Sequence, residues 1–343
     1  DTVYLGAGTD IVSTGSGSDT VTGALGGADV VDLQGDNDTF DYLDSLAGDV
    51  RGGAQSDTLT IDAANNAVTL DLNATAGFGV YSGFENIDGA TADNIITVTA
   101  STNGGTINTG SANDVVTLNI GNDTVNTGAG SDTVNGAVDV GDVVDLDADV
   151  DTFAYRVLGG DVRGGSGSDT ITIALADGAV TLDLTVGTGN GNYSGFENIS
   201  GAAADDIITA TASAAGGSIT TGSAADIITL NSGTDIVSTG NGADTVTGTL
   251  GNFDVVDLQG DNDSFDYQVL VGDVRGGTGS DSLVIDAADG PVTLDLNETF
   301  GAGNYSDFEN INGATADDVI TVIASTNGGS ITTGSAADDI TLN

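Results

Sequence analysis

Aspartates placed at fixed distances behind glycine are the residues of this chain best suited to chemistry. Gly15-Ser16-Gly17-Ser18-Asp19 sets the pattern, with Gly four and two residues before an Asp that opens the apolar-centred run Thr20-Val21-Thr22. Gly6 and Gly8 stand so before Asp10, Gly128 and Gly130 before Asp132, and Gly240 and Gly242 before Asp244. Glycine reaches positive φ without steric cost, so its turn can point backbone carbonyls inward. The Asp adds a short-armed carboxylate, and carbonyl plus carboxylate oxygens are what a hard divalent cation takes as ligands.

Composition narrows the chemistry further. Lys and Arg number 4 against 52 Asp and Glu, for a net charge of −48. All the basic residues are Arg, and the only Glu residues are Glu85, Glu197, Glu298 and Glu309, so 52 − 4 = 48 are Asp. An acidic surface alone would use both acids, whereas Asp favours turns and cation ligation. Nucleic acid is excluded as a partner because its binding needs a basic footprint. His and Cys are absent, so disulfides and thiolate metal sites are excluded too. No run approaches the ~18 apolar residues of a membrane span.

Short apolar runs of Val, Ile and Leu follow these aspartates every nine to ten residues. Asp10, Asp19, Asp29 and Asp38 open such runs, as do Asp123, Asp132, Asp142 and Asp151, then Asp235, Asp244, Asp254 and Asp263. Even spacing of short strands between Gly-Asp turns predicts a β-solenoid, and no apolar stripe of period 3.6 argues for helix. Two strands and two turns make a coil of about 18 to 20 residues, stacking at roughly 4.8 Å per coil. The expected fold is all-β, a right-handed parallel β-solenoid, right-handed because parallel crossovers almost always are.

A longer period lies over the short one. Arg51, Arg163 and Arg275 are evenly spaced, since 163 − 51 = 275 − 163 = 112, and Phe-Glu-Asn-Ile recurs at 84, 196 and 308 with the same step. The chain therefore reads as three tandem modules, 1–113, 114–225 and 226–337, with 338–343 starting a further one. A longer parent protein with more copies is expected. Each module should hold about six coils, a near-whole number if the Arg and Phe-Glu-Asn-Ile markers are to stay on one face. Val-Thr-Leu-Asp-Leu at 68–72, 180–184 and 292–296 reads as a strand in each, and Pro291 stands at a strand entrance, where a missing N–H costs little.

The turns at Arg163-Gly164-Gly165-Ser166-Gly167-Ser168-Asp169 and Arg275-Gly276-Gly277-Thr278-Gly279-Ser280-Asp281 carry Gly-Gly-x-Gly-x-Asp in full. Here the chain resembles the hemolysin-type (RTX) calcium-binding repeat family. Phe-Glu-Asn-Ile-x-Gly also resembles sequences beside such repeats in large secreted bacterial surface proteins, including adhesins and RTX-type surface-layer proteins. The resemblance implies a β-roll whose stacked turns together offer Ca²⁺ its six to eight oxygens. The metal ligands it implies are Asp10, Asp19, Asp38, Asp57, Asp123, Asp132, Asp151, Asp169, Asp235, Asp244, Asp263 and Asp281. Alternate turns share a side, so Asp19, Asp38 and Asp57 form one column and Asp10, Asp29 and Asp49 the other. Metal is expected first in the former, above all at Asp57, Asp169 and Asp281. Gly27-Ala28-Asp29, Gly141-Asp142 and Asn252-Phe253-Asp254 match the motif poorly.

Arg and Glu also keep step, with one constant offset from Arg51 to Glu85, from Arg163 to Glu197 and from Arg275 to Glu309. An ion pair, a Glu ligand to Ca²⁺ and an exposed uncoupled pair are all open. Phe84, Phe196 and Phe308 read as core fillers.

Without His, Cys or Lys the usual nucleophile–base pairs cannot be built, and an active site would not recur in every module. The expected function is a non-catalytic, calcium-stabilised extracellular structural protein, a rod, filament or surface lattice that associates end to end with like chains. The alternatives are a calcium-binding accessory region of a secreted enzyme or toxin, and an ice- or polysaccharide-binding solenoid with a surface polysaccharide as partner. An ice face needs threonine ranks repeating every coil, and the strongest repeat here is the module. Forty-eight net negative charges on a thin core should make folding depend on bound divalent cations.

Overall fold

The structure is a computed structural model that describes residues 1–42, 48–62, 66–74, 81–90, 92–155, 159–174, 178–185, 193–202, 204–267, 271–286, 289–297, 305–313, 315–316 and 318–342. The Gly-rich loops that follow Val-Thr-Leu-Asp-Leu lie largely outside them. Among the described residues every element is a strand of two to four residues, and all the pairings are parallel. None of these residues forms a helix long and apolar enough to cross a membrane.

The three-residue strands follow from their alternation. In Thr20–Thr22, Thr39–Asp41 and Thr58–Thr60 the middle residue, Val21, Phe40 or Leu59, is fully buried and its polar neighbours face out. Parallel register then stacks like on like: Val21 over Phe40, Phe40 over Leu59, Leu59 over Ile87 and Ile87 over Ile107. The core is a column one or two side chains wide, and strands this short hold only because each is hydrogen-bonded to the coils before and after it.

The chain forms two compact units, Asp1–Thr170 with Gly187–Gly195, and Ile171–Val186 with Phe196–Asn343. In the first, successive strands alternate between a ten-stranded parallel sheet that opens with Thr2–Tyr4 and strands on the facing side. In the second, an eight-stranded sheet running from Val180–Asp183 to Ile331–Thr332 alternates in the same way with strands such as Asp235–Ser238 and Val255–Asp257. Parallel register pairs Thr2 with Thr20, Thr20 with Thr39 and Thr39 with Thr58, the coil length that the sequence predicts. The next coil is longer, pairing Thr58 with Asn86, because it holds two facing strands, Val68–Asp71 and Tyr81–Ser82, where the coils before it hold one. Phe40, Tyr42, Tyr81 and Phe84 fill the widened coil with ring centroids 5.8–6.5 Å apart. Phe84, Phe196 and Phe308 are fully buried core fillers. Pro291 immediately precedes the strand Val292–Asp295.

The expectation of a whole number of coils per module is wrong. Five pairing steps carry Thr2 to Thr106, and Val115, the counterpart of Thr2, comes half a coil later in the facing sheet. The strand Asp49–Arg51 accordingly belongs to a four-stranded sheet, whereas Asp161–Arg163 lies in the ten-stranded one. A module is five and a half coils, and the first two modules present their markers on opposite faces. Nothing in the packing forbids this, because both faces offer the same parallel ladder.

Outward residues also stack by register. Thr2, Thr20, Thr39 and Thr58 form one rank, continued by Asn86, Thr106 and Thr124. Threonine thus repeats at four successive coils, Thr2 to Thr58, before Asn86 interrupts the rank. The adjoining rank, Thr22, Asp41, Thr60 and Asp88, is charged at alternate coils.

Candidate metal centre

The turns that end in Asp19, Asp38, Asp57, Asp132, Asp151, Asp244, Asp263 and Asp281 bend twice through the left-handed region. Gly15 and Gly17 before Asp19 have φ of 101° and 104°, and Gly128 and Gly130 before Asp132 have 88° and 129°. Turns that lack these glycines keep the same path: Gln34 and Asp36 before Asp38 stand at 76° and 81°. Turn tips stack as closely as strands. The Ala54 N–H donates to the Gln34 carbonyl at 2.9 Å, and the Ser166 N–H to the Asp147 carbonyl at 2.8 Å. A Cβ on Gly53, Gly165 or Gly277 would overlap the carbonyl oxygen of Gln34, Asp147 or Gln259 one coil earlier. The motif's second glycine is therefore required twice over, by φ and by this close approach.

The aspartates turn inward. Eleven of the twelve sequence-predicted ligands are buried, Asp10 being half-buried. The Asp19 N–H donates to Asp38 Oδ1 and the Asp38 N–H to Asp57 Oδ1, both at 2.8 Å. The same ladder runs from Asp114 through Asp132 and Asp151 to Asp169. In the second unit it runs from Asp226 through Asp244 and Asp263 to Asp281. One oxygen of each carboxylate thus stitches two coils together. The other, Oδ2, is buried without a hydrogen-bond partner in Asp38, Asp57, Asp114, Asp132, Asp151, Asp226, Asp244, Asp263 and Asp281. A buried anionic oxygen without a partner is costly, and a column of them calls for cations.

The second column differs. Asp29 takes the Asp10 N–H on Oδ1 and the Gly26 N–H on Oδ2, at 2.8 and 2.6 Å. Asp142 and Asp254 do the same with Asp123 and Asp139, and with Asp235 and Gly251. Both oxygens of these three are committed to backbone, so they lock turns. Asp10, Asp123 and Asp235 each donate to one of these three, apart from the other nine predicted ligands, and Asp10 Oδ2, both Asp123 oxygens and Asp235 Oδ2 are also buried without a hydrogen-bond partner.

Burial raises the affinity of these carboxyls for protons. Desolvation is the main cause in Asp57, Asp132, Asp235 and Asp244, pushed up to about 6, and in Asp123, Asp151 and Asp263, pushed up to about 7. Neighbouring carboxylates add repulsion, Asp132 and Asp169 against Asp151 for example.

Glu85 ends the first ladder. Its Oε2 accepts the Asp57 N–H at 3.1 Å and its Oε1 the Asn103 side-chain amide at 3.1 Å. Glu309 stands likewise against Asp281 and Asn327. The longer side chain spans the widened coil, so Glu85 is neither exposed nor the partner of Arg51. Arg51 lies 3.7 Å from Asp49, Arg163 lies 3.5 Å from Asp145, and Arg275 lies 3.8 Å from Asp257, all on strand faces. The sequence reading missed Glu85 and Glu309 as ladder members, and also Asp114 and Asp226. Gly110 and Gly222 stand four residues before Asp114 and Asp226; that spacing alone, without the second Gly, could have found them.

Among the described residues no group of three or more acidic side chains is placed to hold a metal ion unaided. Backbone carbonyls must supply part of any coordination shell, and the stacked turns present them. The donor set, all hard oxygen around unpartnered Oδ2 atoms, fits Ca²⁺.

Comparison with known families agrees. A model of the RTX calcium-binding nonapeptide repeat, in four copies, matches residues 1–21, 6–40, 99–137 and 218–252. The turns in these stretches match the RTX nonapeptide repeat. RTX nonapeptide repeats bind calcium. The matched stretches hold Asp10, Asp19, Asp38, Asp123, Asp132, Asp235 and Asp244, and leave out the Arg-Gly-Gly turns before Asp169 and Asp281. No curated protein matches the chain.

Proposed function

We propose that this RTX chain is a non-catalytic, calcium-stabilised extracellular structural element that builds a rod, filament or surface lattice with like chains. The observation that carries the reading is the buried Asp ladder with its unpartnered Oδ2 atoms, present in every module. Asp38, Asp57, Asp132, Asp151, Asp244, Asp263 and Asp281 would hold calcium, together with carbonyls of the stacked turns. Bound calcium would supply positive charge between adjacent coils, relieving repulsion that opposes the compact state. Repetition of the site, rather than one singular site, supports a structural role over catalysis. RTX proteins are typically secreted, and calcium outside the cell would drive folding there. The test is calcium titration of the chelated full chain by circular dichroism, with light scattering and electron microscopy for assembly. Folding without growth in particle size would leave a calcium-binding solenoid and remove the lattice.

The threonine rank of the first unit favours a second reading, a face for a surface polysaccharide. Asp41 and Asp88 in the adjoining rank suit hydrated sugar better than ice, since carboxylates keep their own hydration. Binding to acidic or neutral glycans, lost on Thr39→Val with Thr58→Val, would support it; unchanged binding would end it.

A further inference from the structure

We propose that calcium enters each module first at one turn, 33–38, 146–151 or 258–263, where an outer carboxylate, Asp36, Asp149 or Asp261, converts an ordinary gap between turns into a tighter cation site. The inference rests on the calcium reading above and adds a rank order among its sites.

Three observations carry it. The first is backbone conformation. Two residues before the ladder Asp, four turns use Gly in the left-handed region, Gly17, Gly130, Gly242 and Gly279, and one uses Gln55 at φ of 86°. Asp36, Asp149 and Asp261 hold that conformation at φ of 81°, 85° and 79°, and their turns carry a second such residue in Gln34, Asp147 or Gln259 at 76°, 71° and 67°. Glycine would adopt both positions free of strain. Strain of this kind marks sites where the side chain is needed.

The second is where the side chain goes. It folds back over the turn one coil earlier, Asp36 Oδ2 accepting the Gly17 N–H at 2.9 Å. Asp149 and Asp261 accept the N–H of Gly130 and Gly242 at 3.2 Å. One oxygen is fixed and the carboxylate stays at the mouth of the gap.

The third is the buried acids beneath. Asp132 and Asp151 are 1% and 0% exposed with Oδ2 unpartnered, as are Asp244 and Asp263 at 1% and 2%. Asp149 lies near enough to repel both of the former, and Asp261 both of the latter. Three carboxyl groups from two turns thus border one gap, and backbone carbonyls must complete the shell around a cation there. The arginines Arg51, Arg163 and Arg275 are committed to aspartates on the strand faces and do not reach it. At the corresponding position of the turn ending in Asp114, Ala112 supplies no outer charge. Calcium affinity rises with ligand charge count, so the gaps with the outer Asp fill first.

The test is isothermal titration of the chelated full chain with CaCl₂ at low ionic strength. The wild type is compared with D149G alone and with the triple variant D36G, D149G and D261G. Gly is the residue the turn's φ prefers, so the variants should fold. Circular dichroism at saturating calcium checks this, and a second triple variant to Asn removes charge while keeping an acceptor. The wild type should show a tight class of one site per module. D149G should remove one site from that class, and both triple variants should weaken the whole class by about tenfold or more. Superposable isotherms for wild type and triple variants would overturn the rank order while leaving calcium binding intact. A wild type that takes up no calcium would overturn both.

Discussion

Asp38 donates its backbone N–H to Asp57 Oδ1 at 2.8 Å, although a whole coil of chain separates the two residues. Since Asp38 Oδ1 in turn accepts from Asp19, each residue is donor to one coil and acceptor for the other. The ladder makes a turn residue into an axial strut, and it fixes where the second oxygen of each carboxylate must point.

Removing a rung should therefore separate two effects. Asp38→Ala leaves the buried Asp19 N–H without its acceptor and should destabilise the calcium-free chain by about 1–3 kcal/mol, besides lowering calcium stoichiometry. Asp38→Asn should keep the rung and lose calcium. Asp29→Asn, whose carboxylate is committed to two backbone N–H groups, should leave stoichiometry unchanged. Urea unfolding in chelator together with calorimetry checks all three.

Acid should stabilise the calcium-free fold. Asp57 and Asp244 are pushed up to about 6, and Asp151 and Asp263 to about 7, above the ~3.9 of an unfolded Asp. The folded state then binds more protons than the unfolded one between those values. Their contribution is full below about pH 4 and lost as pH rises through 6 to 7. Melting temperature in chelator should fall from pH 4.5 to pH 8, and the calcium-induced rise should be largest at the alkaline end. A melting temperature in chelator that climbs with pH would contradict the burial of these groups.

Glycine substitutions should rank by the space they meet. Gly53→Ala or Gly165→Ala combines positive φ with overlap on a carbonyl of the neighbouring coil, and should cost more than the about 1–3 kcal/mol of conformational strain alone. Gly290→Ala also has positive φ, but its Cβ meets nothing within 4 Å, so it should cost about 1 kcal/mol. Equal losses in chemical denaturation would count against close turn stacking.

Much of this was legible in the residues. Val21, Phe40 and Leu59 behind Asp19, Asp38 and Asp57 reveal strand, turn and column at once, because the alternation within a strand and the even step between coils are local facts. Glu85 was not legible as a ladder member. Its role depends on Val68–Asp71 and Tyr81–Ser82 widening one coil, and the width of a coil is a property of packing. The five-and-a-half-coil module escaped for the same reason, since parity of strands cannot be counted until the irregular half of the module is built. Asp36, Asp149 and Asp261 stand where other turns have Gly, and composition does not display φ; the structure places them on the glycine path.

The most direct measurement of the central claim is the melting temperature of the full chain against free calcium, after thorough chelation and at low salt, with magnesium and sodium at matched ionic strength as controls. If calcium binds the folded ladder and not the unfolded chain, the melting temperature should climb continuously with calcium concentration by mass action, with far smaller shifts in the controls. A melting temperature that ignores calcium, or that sodium raises equally, would contradict the account and leave only screened repulsion on an acidic solenoid.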